Sequence, residues 1–260
     1  MANPQYAARI CWNSAGWVYP AGEAAILERN PNKEWSKQTY SVKNKFGHEE
    51  WLFNFNWILD EWKYAYLQGV GRSFKKLSGK TIDVRLFSVA GQRKRFYVGE
   101  LKNCEVLTVE QAALALSAYK RNHWLAAMKQ QIQSMGGNPN GLRRPLEIFN
   151  IRFRPEDADI YEPLAPVSPS DYAMKLHRYS LAALTGRLLP VAGVWPTRAA
   201  SHTKNRTGRR YRKGTVGRHF DPIHDIMQDE IVTCLKNQYG ASAVEKEKDF
   251  IDIKVKLRSL

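Results

Sequence analysis

Apolar positions recur along the 260-residue chain with two periods, and the predicted elements change where the period does. The stretch YAARICWNSAGWVY (6–19) predicts a strand followed by a glycine turn. Residues 20–47, polar and interrupted by Pro and Asn, predict a loop. In GHEEWLFNFNW (47–57), Trp51, Phe53, Phe55 and Trp57 occupy every second position. Residues two apart share one face of a strand, so this spacing predicts a barrel wall with its aromatics turned to one side. KYAYLQGV (63–70) predicts a further strand. The clearest β signal is TIDVRLFSVAGQRKRFYVGELKNCEVLT (81–108), where two runs rich in Val, Phe and Tyr flank the polar turn Ala90–Arg93.

Helical spacing takes over at Thr108. Gln111 stands where a capping box needs it, and Ala112, Leu116, Trp124, Ala127, Met128 and Ile132 predict one long helix, stopped by Gly136 and Gly137. A Pro/Gly/Arg loop over 138–147 and a strand over 146–161 follow. PLAPVSPS (163–170) reads as a boundary, and residues 171–188 as a short helix. Residues 198–219 have no apolar period and read as an extended arm. Asp221–Pro222 then caps a helix carrying Ile223, Ile226, Met227, Ile231 and Leu235 and ending at Gly240. In the last strand Ile251, Ile253, Val255 and Leu257 alternate with Asp252, Lys254 and Lys256. The expected organisation is α+β: a mostly β first unit (1–165), a basic linker or arm (166–220) and a small α/β unit (221–260). That last unit has too few residues for a core of its own and is expected to be cut short in mid-domain.

Charge sharpens this picture. The net charge is +15, but from Tyr172 to Phe220 there is no Asp or Glu against eleven Lys and Arg. Such an excess draws a polyanion by counterion release, and nucleic acid is the expected partner; a merely solvated cationic face is the other reading. Arg198, Lys204, Arg206, Arg209, Arg210, Arg212, Lys213 and Arg218 are the candidate phosphate contacts. Cys11, Cys104 and Cys234 are scattered without a CxxC pair, which points to a reducing compartment and a cytoplasmic address. No apolar run approaches the ~20 residues that span a bilayer, so no membrane partner is expected.

In the C-terminal unit, Asp252 and Lys254 lie two apart on one strand, with Glu245 before them and Glu230 on the preceding helix. Carboxylates that hold Mg2+ beside a lysine that meets a scissile phosphate are the equipment of metal-dependent nucleases. The order of helix, glycine turn, V-x-x-E and I-D-I over 221–257 resembles the start of the PD-(D/E)XK nuclease fold. The resemblance implies Glu230, Glu245, Asp252 and Lys254 as catalytic residues, with Glu245 and Asp252 as metal ligands. That family carries a separate Glu-x-Lys on its next strand. Either Asp252–Lys254 is itself the acid–lysine pair, or the Glu-x-Lys belongs to a longer parent protein. A strand face with alternating charges is the bland alternative.

In the N-terminal unit, CWNSAGW, GHEEWLFN, KYAYLQGV and RLFSVAGQRKRFYVGELKNCEVL together resemble the PUA-like superfamily of modified-base readers, which includes SRA, EVE, YTH and ASCH domains. The resemblance covers roughly residues 6–160 and implies a PUA-like β-barrel with flanking helices that holds an extruded base in an aromatic cage. Trp12, Trp17 and Trp62 are then stacking candidates. Asn13, His48, Glu49, Glu50 and Asp60 are hydrogen-bonding candidates, and Trp51 stands between pocket and barrel core. Combined with the nuclease resemblance, the expectation is a modification-dependent restriction endonuclease acting on double-stranded DNA with a modified base. A homodimer would present two such units to the two strands. An RNA-binding module of the PUA or YTH kind, without cleavage, is the alternative.

Overall fold

The computed structural model describes residues 3–28, 32, 38–184, 196–198, 244–246 and 253–255. The chain divides into two units, Met1–Gly214 and Thr215–Leu260. The first holds a nine-stranded mixed sheet with short helices around it, an α+β architecture. Its strands are β1 (Gln5–Ile10), β2 (Ile58–Leu59), β3 (Trp62–Ala65), β4 (Thr81–Val89), β5 (Arg95–Val106), β6 (Ile151–Phe153), β7 (Ala158–Pro166), β8 (Leu181–Ala183) and β9 (Pro196–Arg198).

The expected β4–β5 hairpin forms the centre of the sheet. Its partners run from Thr81↔Glu105 to Val89↔Arg95, and the turn closes through Ala90 N–H donating to Lys94 O at 2.8 Å. Two register shifts, at Ile82/Val84 and Leu86/Phe87, bend it. The two faces of β4 serve two cores: Val84 and Leu86 point into one cluster, and Phe87 and Val89 into another. One edge of β4 takes β1 in parallel, and β1 takes β8 antiparallel. The far edge of β5 is shared, with β6 on its C-terminal end and β7 on its N-terminal half. The order β2-β3-β6-β5-β4-β1-β8 leaves two short strands at opposite ends, and among the described residues no pairing joins them. The sheet is open where a closed barrel was expected, because two- and three-residue end strands offer too little ladder to close it.

Several expectations give way to tertiary packing. GHEEWLFNFNW is no strand: His48–Trp51 is a single 3-10 turn, followed by further turns. Its alternating aromatics therefore diverge. Trp51 and Trp57 enter the cluster beneath the long helices, whereas Leu52 and Phe53 enter the sheet core. The strand predicted over 63–70 ends at Ala65 and gives way to α3, below. There Asn150 reaches across, its side chain both accepting from Leu67 N–H at 2.8 Å and donating to Leu67 O at 2.9 Å.

Among the described residues the sheet is accompanied by seven α-helices: α1 (Glu23–Glu28), α2 (Tyr40–Asn44), α3 (Gln68–Arg72), α4 (Phe74–Leu77), α5 (Val109–Arg121), α6 (Trp124–Ser134) and α7 (Pro145–Ile148). The loop expected over 20–47 thus contains α1 and α2. The capping box at Thr108 and Gln111 forms with both hydrogen bonds, but the single helix expected after it breaks at His123, which takes φ +60°. The break lets Trp124 stack on Trp57, with ring centroids 6.4 Å apart, while Leu125, Met128 and Ile132 pack inward. The strand expected over 146–161 is divided among α7, β6 and the first part of β7.

The segments expected as boundary, helix and basic linker contribute to the main sheet. β7 runs through Pro166, Tyr172–Lys175 is one 3-10 turn rather than the start of a helix, and β8 and β9 pair with β1 and β7. Arg198 is the register partner of Asp159 in that sheet. Lys204, Arg206, Arg209, Arg210, Arg212, Lys213 and Arg218 lie outside the described residues, as do Glu230, Asp252 and the helix expected over 223–239. In the second unit, β10 (Val244–Lys246) pairs antiparallel with β11 (Ile253–Val255), with Glu245 directly opposite Lys254. Among the described residues no helix is long and apolar enough to cross a membrane.

Candidate functional site

A cleft of about 1020 Å³ opens at one end of the first unit. Its lining comes from many elements: Arg9 on β1, His48 and Glu49 on the 3-10 turn, Tyr66 between β3 and α3, Arg72 at the end of α3, the β4–β5 turn, Arg95 at the start of β5, and His177–Tyr179. Among the described residues the lining carries Arg9, Arg72, Arg93, Arg95 and Arg178 against one acid, Glu49. That carboxylate is engaged in structure, accepting from Cys11 N–H at 3.0 Å and Gln68 N–H at 2.9 Å, so it ties the turn to both β1 and α3. The cleft is therefore strongly electropositive, and concave walls concentrate such a field.

One wall is aromatic. The His48 ring lies 4.5 Å from the Tyr40 ring at 31° and 5.0 Å from the Tyr66 ring at 50°. Burial pushes the His48 imidazole down to about 4, so it is neutral at physiological pH. Burial also pushes the Tyr40 and Tyr66 phenols well above their ordinary value, with nearby Glu147 adding to both, so both stay protonated. Tyr66 donates to Gln68 Oε1 at 2.9 Å. A row of neutral, flat, hydrogen-bonding rings suits a planar ligand.

The other wall is cationic. Arg9 lies over the Tyr179 ring at 4.5 Å and donates to His177 O at 2.7 Å. Arg95 donates to Leu176 O at 2.8 Å and to Ala173 O, and meets His177 Nδ1 at 3.0 Å. Burial and the neighbouring charge of Arg9 both hold the Arg95 guanidinium below its usual range. Two guanidiniums this close, held by carbonyl dipoles, make an electrostatically prepared seat for an anion.

Of the pocket residues expected from the sequence, this cleft gathers His48 and Glu49. Glu50 is fully buried beneath it, accepting from Gly47 N–H at 2.9 Å, Ala21 N–H at 2.7 Å and Asn13 Nδ2 at 3.4 Å. Burial raises its carboxyl to about 7 against those stabilising donors. Asn13 is buried as well, accepting from Trp17 N–H and donating to Tyr19 O. Trp17 is a core residue whose indole donates to Cys11 O at 2.8 Å, and the Trp51 indole donates to Gln131 Oε1 at 2.7 Å. These four are buried and are not among the residues that line the cleft.

Trp12 packs on Phe96 and Trp17 and is not part of the cleft lining. Asp60 and Trp62 belong to the β2–β3 turn at the sheet's end, where Arg152 and Arg154 lie 4.3 and 5.2 Å from the Trp62 ring. Sequence reasoning missed Arg9, Tyr40, Tyr66, Arg72, Arg95 and the 177–179 segment. Tyr66 stood in a predicted strand and Tyr40 in a predicted loop, and no local period marks residues that converge from positions 9 to 179. Of the residues expected to bind Mg2+, Glu245 is described and Asp252 is not. Among the described residues no group of three or more potential metal ligands is assembled. No family model, curated protein or solved structure matches this chain.

Proposed function

We propose that this chain binds nucleic acid through its first unit, as a reader of a modified base in double-stranded DNA. The observation that carries the reading is the cleft, whose described residues include five arginines, one structurally committed glutamate and a wall of neutral aromatic rings. Phosphates supply what the arginines lack, and an extruded base supplies a flat face for the rings. The bent β4–β5 hairpin, with helices on its flanks, is the part of the fold that supports a PUA-like reading. Tyr40, His48 and Tyr66 take the role that the sequence pattern offered to Trp12, Trp17 and Trp62. The basic stretch from Arg198 to Arg218 adds sequence-independent affinity for the duplex backbone.

The second unit is proposed as part of a Mg2+-dependent nuclease. The direct pairing of Glu245 with Lys254 supports this by placing an acid and a lysine at facing register positions. Binding of the full chain to duplexes with and without base modifications, at fixed salt, tests the reader: preference for one modification by tenfold or more is expected, and equal affinity for all removes it. Cleavage assays with and without Mg2+ test the nuclease, and loss of cutting in Asp252→Ala is the expected outcome wherever cutting is seen.

A further inference from the structure

Among the described residues, two buried side-chain polar atoms have no hydrogen-bond partner: Nε of Arg9 and Nδ1 of His48. Both side chains line the same cleft. Unpaired buried polar groups are rare in folded proteins, so two on one cavity point to a partner that enters it. Each also sits in a distinct chemical setting. His48 packs against both the Tyr40 and Tyr66 rings, so the three form an aromatic wall that carries one unused nitrogen. Arg9 lies beside Arg95, and their partners are carbonyl oxygens and the His177 ring rather than carboxylates. Two adjacent guanidiniums lacking a carboxylate between them are an anion site by charge and by donor count.

We propose that the cleft is divided into an anion subsite at Arg9 and Arg95 and a ring subsite at Tyr40, His48 and Tyr66, and that together they take one nucleoside 5′-monophosphate unit. This rests on the nucleic-acid reading above and assigns the parts of that site. The phosphate sits with the guanidiniums, where Arg9 Nε–H gains an acceptor. The base stacks with the tyrosine and histidine rings, where His48 Nδ1 gains its hydrogen bond. Burial keeps the imidazole uncharged, so the charge that holds the phosphate comes from the arginines alone. The volume of about 1020 Å³ exceeds what a single nucleotide fills, leaving room for its neighbours when the unit is part of a strand.

The test titrates the full chain calorimetrically with the four deoxynucleoside 5′-monophosphates, the matching nucleosides and inorganic phosphate, beside a duplex carrying the preferred modification. Monophosphates are expected to bind at least tenfold tighter than nucleosides or phosphate and to displace the duplex in competition. Arg9→Gln is expected to bring the monophosphates down to the nucleoside level with nucleoside binding unchanged, and His48→Leu to weaken both. Binding of the duplex but not of free monophosphates, with both variants losing the duplex, also supports the two subsites and identifies the occupant as a nucleotide within a strand. Duplex binding untouched by either variant and by competing monophosphate overturns the subsites while leaving the reader intact. Tight monophosphate binding with no preference among modified duplexes does the reverse. The competition uses the unaltered chain and decides the matter if a variant fails to fold.

Discussion

Lys63 is the most exposing residue in the molecule for the physics of burial. It lies 1% exposed on an edge-proximal strand, with its ammonium 5.9 Å from the Trp57 ring. Burial pushes it down to about 7. Between pH 7 and 9 the unfolded chain holds a proton at Lys63 that the folded chain has released, so stability rises with pH across that window. Above it the buried Cys104 thiol, pushed far up by burial, acts in the opposite direction. Urea unfolding at pH 7 and pH 9 is expected to show the rise, and Lys63→Met to flatten it and stabilise the protein at pH 7 by roughly 2 kcal/mol. A Lys63→Met chain with the original slope would remove this account. Glu50 is the converse case, a carboxylate held by donors from Gly47, Ala21 and Asn13. Glu50→Ala strands those donors and is expected to cost about 3 kcal/mol, with Glu50→Gln costing about 1 because an acceptor remains. Equal losses in thermal unfolding would show that charge, not acceptor geometry, matters there. The sequence marked Glu50 and Asn13 as notable; it could not say that they face inward, because burial depends on what covers them.

At the scale of elements, register and close approach carry the fold. Glu105 and Arg152 are direct partners across β5 and β6, and their side chains meet at 2.6 Å. Arg85 and Glu100 do the same across β4 and β5 at 2.5 Å, with little solvent around them. Such cross-strand pairs fix which residues oppose one another. Gly99 sits where β5 meets β7, and a Cβ there would collide with the Asp159 carbonyl oxygen. Gly99→Ala is therefore expected to destabilise the protein by about 2 kcal/mol or more, read as a lower urea midpoint; a neutral result would mean that β7 can shift away freely. The β4–β5 hairpin and the Thr108 cap were legible because their signals are local: a turn between two β-rich runs, and two residues three apart. GHEEWLFNFNW was misread for the same reason. Its period of two is real, but Glu49 and Glu50 coil the chain by drawing backbone N–H groups inward, and the aromatics separate into two cores.

For the whole molecule the decisive quantity is where positive charge collects. Arg72, exposed at the end of α3, lines the cleft and has no ion pair among the described residues. If the cleft follows a phosphate backbone, Arg72→Ala lowers the slope of log affinity against log salt by about 1 while leaving preference among modified bases unchanged. A loss of preference with an unchanged slope would instead make Arg72 a base contact. Trp62→Ala is expected to leave duplex binding within twofold, since that ring packs with Arg152 and Arg154 at the end of the sheet and does not line the cleft.

By itself the sequence determined the α+β class, the central hairpin, the helix cap and an overall positive charge, because propensity, period and composition act over a few residues or over the whole chain at once. It mistook the shape of the 47–57 stretch, which is a 3-10 turn rather than a strand. Only the tertiary structure decided that the sheet stays open, that residues 181–183 and 196–198 join it, and that Arg9, Tyr40, His48, Tyr66 and Arg95 share one cleft. Those residues span positions 9 to 95 with no common period. Their meeting is fixed by β1 lying parallel to β4 and by Glu49 tying the turn to β1 and α3, contacts that exist only once distant segments have been brought together.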